Sequence, residues 1–309
     1  MFVEFEKWHG CKNDFIVFWV NENQYDNIAP SLRRQCQHLC SRNEGIGADG
    51  ILFLTYSSTQ PIPQKLLILN SDGSEAKTCG NGIRCGALSI FRRQLEVSKN
   101  ELESLNLQMG DQTYSCQFLP QKGQLPLVQV NMGTPWINEQ NLWHENAKAF
   151  LTQKLQKTPQ AHLLNEVYTC ALANHHIVFI CEREEALETL RQVGSMLQTS
   201  PHWDGINVSF ATPFEDKKGQ TASSAIPKRE LADPYKAFVW ERGAGETQAC
   251  GSGACAIAAS LLSSGLHPRS QWIPILFPGG PLFVRQKSAE DEAILCGPGN
   301  FVFSGKIEI

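Results

Sequence analysis

Two distant segments of this chain carry the same cysteine-glycine pattern. NSDGSEAKTCGNGIRC runs from Asn70 to Cys85 and WERGAGETQACGSGAC from Trp240 to Cys255, each with a glutamate four residues before a cysteine that opens C-G-x-G. Cys79 and Cys250 are 250 − 79 = 171 residues apart, too long a period for a solenoid, so the chain reads as two related domains that each supply one copy. Its 309 residues, 42% of them hydrophobic, suit two medium domains with their own cores.

Around these segments the pattern is mixed, mostly short apolar runs rich in branched and aromatic residues. Phe15–Val20, Ile51–Tyr56, Leu66–Leu69, Tyr114–Leu119, Leu127–Val130, Ile177–Cys181, Ala237–Trp240, Ile273–Phe277 and Phe301–Phe303 predict strands. Helical spacing predicts helices over Leu32–Cys40, Asn81–Arg93, Asn141–Leu155, Glu184–Leu197 and Ser252–Ser264. The expected class is α/β (α+β). Ser57–Gln64 and the longer Pro213–Pro234 read as solvated surface loops.

In both copies an apolar strand leads through a Gly-rich turn into a helix of small residues, which places Cys79 and Cys250 at helix N-termini. Unpaired N–H groups and the positive end of the helix dipole favour a thiolate there. The adjoining glycines, Gly80, Gly82, Gly251 and Gly253, let a carboxylate approach the backbone donors. Two such motifs acting on one α-carbon could invert it: one thiolate removes the α-proton while the opposite thiol delivers another, and the donors hold the enolate-like charge. That chemistry requires neither pyridoxal phosphate nor a metal, so the expected cofactor is none.

Other functions fit less well. Neither copy has the Lys-Ser or Lys-Thr of a phosphate loop, and no thioredoxin-like C-x-x-C occurs. Cys36, His38 and Cys40 come nearest to a zinc half-site but lack a second pair, so core packing is expected and the metal expectation is none. A formal net charge of −4 gives no field for nucleic acid or an anionic membrane surface. The first residues form no signal peptide and no run approaches a membrane span, so a cytoplasmic protein is expected. Eleven cysteines without an export signal read as reduced thiols.

These residues resemble the diaminopimelate epimerase family from end to end. WHGCKNDF (Trp8 to Phe15), GIGADG (Gly45 to Gly50), the first C-G-x-G segment, NMGTP (Asn131 to Pro135), GINVSF (Gly205 to Phe210) and ERGAGETQACGSGACA (Glu241 to Ala256) match its motifs in order. The resemblance implies two pseudo-symmetric domains, each a β-rich barrel-like sheet around a central helix, with the site in the cleft between them. It implies Cys79 and Cys250 as the acid/base pair, and Gly80, Asn81, Gly251 and Ser252 as holders of the reacting amino-acid head. Asn13, Asn70, Asn174, Asn207, Glu241 and Arg242 would bind the rest of the substrate, Glu241 pairing a distal ammonium and Arg242 a distal carboxylate. His176 would help Glu241 adjust thiol protonation, and a homodimer is implied.

The implied activity is interconversion of LL- and meso-diaminopimelate in lysine and peptidoglycan precursor synthesis; a relative acting on another polar amino acid such as histidine is the alternative. Lys12 replaces the family's glycine, Ser71 an alanine, and His175 the proline of its Asn-Pro-His. The domain boundary is expected near Gln124, giving residues 1–124 with 300–309 and residues 125–299.

Overall fold

Cys11 and Lys12, at φ 51° and 66°, form the two-residue turn that starts the fold. Positive φ at both central positions gives a hairpin turn whose twist matches its strands, and here it joins β1 (Phe2–Gly10) to β2 (Asn13–Asn21) with Gly10 opposite Asn13. The structure is a computed structural model that describes residues 1–76, 78–99, 101–137, 164–172, 174–182, 184, 191, 194, 206–265, 267 and 270–309.

The chain divides into two compact units, residues 1–131 with 296–309, and residues 132–295. The first division falls beyond Gln124, because the strand that begins there pairs back into the first unit. That unit holds β1, β2, α1 (Glu22–Arg34), α2 (Cys36–Cys40), β3 (Gly50–Tyr56), β4 (Lys65–Asn70), α3 (Gly80–Ser98), β5 (Ser104–Met109), β6 (Gln112–Gln121) and β7 (Gln124–Asn131). The second holds β8 (Trp136–Ile137), β9 (Leu164–Leu172), β10 (Asn174–Cys181), β11 (Asn207–Pro213), β12 (Tyr235–Glu241), β13 (Gly245–Thr247), α4 (Gly251–Ser263), β14 (Ile273–Phe277) and β15 (Gly280–Arg285). Within β16 (Ile294–Gly297) the chain returns to the first unit, and β17 (Asn300–Glu308) runs antiparallel to β1 from Phe2 opposite Glu308 to His9 opposite Asn300.

The units repeat one order of pairings. In the first, β1 and β2 are antiparallel, β2 and β3 parallel, β3 and β4 antiparallel; α3 follows, then β5 parallel to β4 and β6 antiparallel to β5. In the second, β9, β10, β11 and β12 repeat the same three relations; α4 follows, then β14 parallel to β12 and β15 antiparallel to β14. The registers therefore equate positions. Phe15 faces Gly50 as His176 faces Asn207, and Asn13 and Asn174 each lie two residues before those positions.

Each unit encloses one helix. Every residue from Gly80 to Phe91 of α3 and from Gly251 to Leu262 of α4 is buried, so these helices are covered on all sides rather than along one stripe. In the second unit, Phe179, Phe210 and Phe238 stack across β10, β11 and β12 with centroids 4.9 and 4.8 Å apart, and each pair is also a register pair. Such cross-strand aromatic pairs resist a register slip, which would turn every side chain to the other face.

The expected helix Leu32–Cys40 is two helices. Asn21 caps α1 through its side chain, the helix continues past Pro30, and Gln35 (φ −90°, ψ 3°) interrupts it before α2. The polar Glu22–Asn27 stretch and the internal proline hid this start from periodicity. The expected helix Asn141–Leu155 lies outside the described residues, as does Glu184–Leu197 except for Glu184, Arg191 and Gly194. Among the described residues, no helix is long and apolar enough to cross a membrane.

Candidate active site

A serine, threonine, asparagine or aspartate usually caps a helix N-terminus; α3 and α4 are capped by cysteine. Cys79 (φ −156°, ψ 99°) accepts from the N–H of Gly82 at 3.3 Å, and Cys250 (φ −126°, ψ 120°) from that of Gly253 at 3.3 Å. Each sulfur thus meets one of the orphan donors of its helix and the positive end of its dipole. The second glycine of C-G-x-G also has a packing reason. A Cβ on Gly82 would lie 2.7 Å from Ile68 Cδ1, and one on Gly253 3.3 Å from Ser209 Oγ.

Beside Cys79 lies a line of side chains from three elements. Arg84, fully buried on α3, donates from Nη2 to Asn81 Oδ1 at 2.7 Å, from Nη1 to the Gly80 carbonyl at 3.1 Å and from Nε to the Pro298 carbonyl at 3.3 Å. Asn81 Nδ2 donates to Asn13 Oδ1 at 3.2 Å, and Asn13 Nδ2 to Asp49 Oδ2 at 2.8 Å. Arg42 joins Asp49 and Asp14 at 2.8 Å each, and Lys7 pairs with Asp14 at 2.8 Å. Burial would raise the carboxyl of Asp14, but hydrogen bonds and charge from Arg42 and Lys7 outweigh it and hold the pKa down to about 2. Asn70 turns elsewhere: its Nδ2 donates to Ser74 Oγ at 2.9 Å, and its carbonyl accepts from the Cys36 thiol at 3.2 Å. Arg84, Asp49 and Arg42 were not among the residues expected from the sequence; for Arg84 the visible signal was IRC after the first C-G-x-G, where the second copy has ACA.

The second unit surrounds its cysteine differently. Ser252 Oγ lies 3.4 Å from Cys250 Sγ and 3.0 Å from His176 Nε2, and Asn207 Nδ2 lies 3.5 Å from the same ring nitrogen. Asn207 Oδ1 accepts from the Arg242 backbone N–H at 2.8 Å, closing the turn between β12 and β13. Arg242 itself is exposed, and Asn174 is half-buried at the start of β10, on the same face as His176. Full burial, with His175 adding repulsion, pushes His176 down to about 3, so its ring is neutral at physiological pH. Its Nδ1 has no hydrogen-bond partner among the described residues.

Glu241 is the charge next to Cys250. Burial pushes the Cys250 thiol well above its ordinary range, and the Glu241 carboxylate adds to this by repulsion and by accepting a hydrogen bond; bonds from Ser252 and Gly253 act the other way. Thr247 Oγ1 donates to the same carboxylate and steadies it. The glutamates of the repeated motif point elsewhere: Glu75 pairs with Arg33 at 3.4 Å, and Glu246 takes two bonds from Arg191 at 2.7 and 2.8 Å.

Of the remaining cysteines, Cys36 is held below its ordinary range chiefly by a hydrogen bond with Cys40, with the Gly73 backbone adding to it, and Cys11 meets Arg84 but is raised by burial. Ten of the eleven are buried and Cys79 is the half-buried exception. Burial alone pushes Cys116, Cys170 and Cys181 up to about 12. Cys36 and Cys40 are buried while His38 is exposed, and no cluster of three metal-ligating side chains occurs among the described residues.

Known proteins match this chain along most of its length. The family described as diaminopimelate epimerase matches residues 5–137 and 168–302. Diaminopimelate epimerase of Nostoc punctiforme is 32% identical over 99% of this chain and 100% of its own length, and that of Bacillus subtilis 29% identical over 97% of each. Among solved structures, the Bacillus anthracis phenazine biosynthesis protein of the PhzF family superposes with TM-score 0.68 at 9% identity, covering 100% of both chains. A hydroxyproline epimerase from Agrobacterium vitis superposes with TM-score 0.59 at 13% identity, covering 99% of this chain and 92% of its own; these two support the fold alone. The mixed α/β architecture with two internally repeated units, the paired C-G-x-G caps and the end-to-end match show that the chain belongs to the diaminopimelate epimerase family.

Proposed function

We propose that this protein is a cofactor-independent epimerase that interconverts LL- and meso-diaminopimelate by two-base proton transfer. The observation that carries the reading is the recurrence of a helix-capping cysteine in two electrostatic settings, with Cys250 held as a neutral thiol by burial and Glu241. A two-base inversion needs one sulfur that gives a proton and one that takes it. Cys250 suits the donor in the resting enzyme, and Cys79, half-buried and accepting the Gly82 N–H at the positive end of α3, suits the base. The two thiols serve opposite faces of one α-carbon, and the backbone donors at Gly80 and Gly251 with Asn81 and Ser252 hold the α-carboxylate and its developing charge.

Asn13, Asn70, Asn174, Asn207, Glu241 and Arg242 are proposed to bind the remainder of diaminopimelate, with His176 tuning Cys250 through Ser252. No pyridoxal phosphate or metal enters the mechanism. The protein is proposed to act in the cytoplasm as a homodimer, in lysine and peptidoglycan precursor synthesis. A second reading, a racemase for another polar amino acid such as histidine, is favoured by one observation: Lys12 and His175, both exposed, adjoin Asn13 and Asn174 where the family carries glycine and proline.

Proton NMR of LL-diaminopimelate in deuterated water separates the readings. Loss of the α-proton signal with formation of the meso isomer is expected, in the presence of chelator and without added pyridoxal phosphate. Faster α-exchange of histidine than of diaminopimelate would transfer the assignment to the second reading.

A further inference from the structure

An asparagine amide has nearly the same shape whichever way it faces, so a carboxylate-binding asparagine works only if something fixes its N–H side toward the ligand. In the first unit a chain of hydrogen bonds does this. Arg84 can only donate, and it takes Asn81 Oδ1 at 2.7 Å; Asn81 Nδ2 must then face Asn13, whose Oδ1 it meets at 3.2 Å. Asn13 Nδ2 accordingly faces Asp49, a carboxylate that can only accept, at 2.8 Å. Because neither end can exchange donor for acceptor, the direction of every link is set.

Each end is itself held. Arg84 is fully buried and forks across the Gly80 and Pro298 carbonyls at 3.1 and 3.3 Å. The partners named for this cation are carbonyl and amide oxygens and the Cys11 sulfur, a costly way to fill a core position if packing were all it provided. The second copy of the motif has Cys255 there and forms its helix equally well. Asp49 is fixed by Arg42 at 2.8 Å and by the Asp14 backbone N–H at 3.0 Å.

We propose that Arg84 and Asp49 are positioning residues: they terminate a polarised amide chain that fixes the orientation of Asn81 and Asn13, so that Asn13, one of whose two N–H groups goes to Asp49, presents the other to the substrate carboxylate. The proposal rests on the reading of Asn13 and Asn81 as substrate-binding residues. Arg84 and Asp49 touch no substrate atom themselves.

The test combines kinetics with the side-chain amide signals of the free protein, the Asn13 pair being assigned with Asn13→Asp. Arg84→Lys keeps the charge but loses the planar fork, and Asp49→Asn keeps the size but adds a donor. In each, the Asn13 amide signals are expected to shift and their exchange with deuterium to accelerate about tenfold, with KM raised about tenfold and kcat changed less, the effect of losing one well-placed hydrogen bond. Unmoved Asn13 signals in a folded variant overturn the proposal, even if KM rises. The variants act at opposite ends of the chain, so either one that folds decides. Should the wild-type protein epimerise no amino acid, the proposed function fails while the amide signals still decide whether Arg84 and Asp49 orient the chain.

Discussion

The two helix caps share a sulfur, a turn and a hydrogen bond, yet their surroundings have opposite electrostatic character. Around Cys79 the first unit assembles full charges, with Arg84 buried beneath it and Lys7, Asp14, Arg42 and Asp49 linked to its asparagines. Around Cys250 the second unit places neutral groups, Ser252, Asn207 and an uncharged His176, with Glu241 the charge that acts on the thiol among the described residues. The pairing pattern makes the contrast sharper. His176 and Asn207 stand where the first unit has Phe15 and Gly50, and Glu241 ends β12 as Asn70 ends β4. A duplicated scaffold has thus kept the anion-stabilising cap in both halves while the residues behind it diverged, which is how like groups acquire unlike protonation.

The largest effect should come from removing either sulfur. Cys79→Ala and Cys250→Ala are each expected to lower epimerisation by about 10³-fold or more if proton transfer fails. With two bases of different resting state, each variant blocks inversion in both directions; ordinary turnover by either, measured by circular dichroism of the product, would remove the two-base reading.

Next comes the charge cluster peculiar to the first unit. Asp14 has a depressed folded-state pKa, so its contribution to stability is complete above about pH 4 and fades as pH falls through about 2. Asp14→Asn should cost about 1–2 kcal/mol at pH 7 after allowance for solvent screening. Urea titrations should show that difference shrinking toward pH 2; an equal cost at both pH values would mean that packing rather than charge ties Asp14 to its neighbours.

The smallest effect isolates Glu241. At pH 8, iodoacetamide should modify Cys79 ahead of Cys250, and Glu241→Gln should speed the alkylation of Cys250 about tenfold by removing one unfavourable charge. Mass spectrometry of the labelled peptides reads both sites in one sample. An unchanged Cys250 rate would leave burial as the sole reason for its high pKa and weaken the contrast between the halves.

Much of this was legible in the residues. The caps were readable because C-G-x-G states both the helix start and the group that caps it, and all nine expected strand runs lie within observed strands. The first strand was not foreseen: Phe2–Gly10 interleaves Glu4, Glu6 and Lys7 with its aromatics, and Glu6 and Lys7 find their partners in Trp8, Ser89, Arg92, Asp14 and the Gly47 carbonyl, all but Trp8 far along the chain or on the next strand. The echo between NDFIVF and NHHIVF, at Asn13 and Asn174, was equally visible but short, and it acquires meaning only when the strands are seen to pair alike. Two glutamates precede Cys250, and nothing in their spacing tells which one faces the sulfur; the β12–β13 hairpin settles it for Glu241 and sends Glu246 to Arg191. The link between Arg84 and Asp49 runs through residues far apart in the chain, beyond the reach of any local pattern.

The pairing of β1 with β17 has a consequence for biosynthesis. β1 emerges from the ribosome early, but its partner is translated only after the whole second unit, residues 132–295. Until then the nascent first unit carries an open strand edge beside Phe2 and Phe5, the kind of template on which chains associate wrongly. Refolding yield of this protein should therefore depend on how long that edge waits for its partner strand.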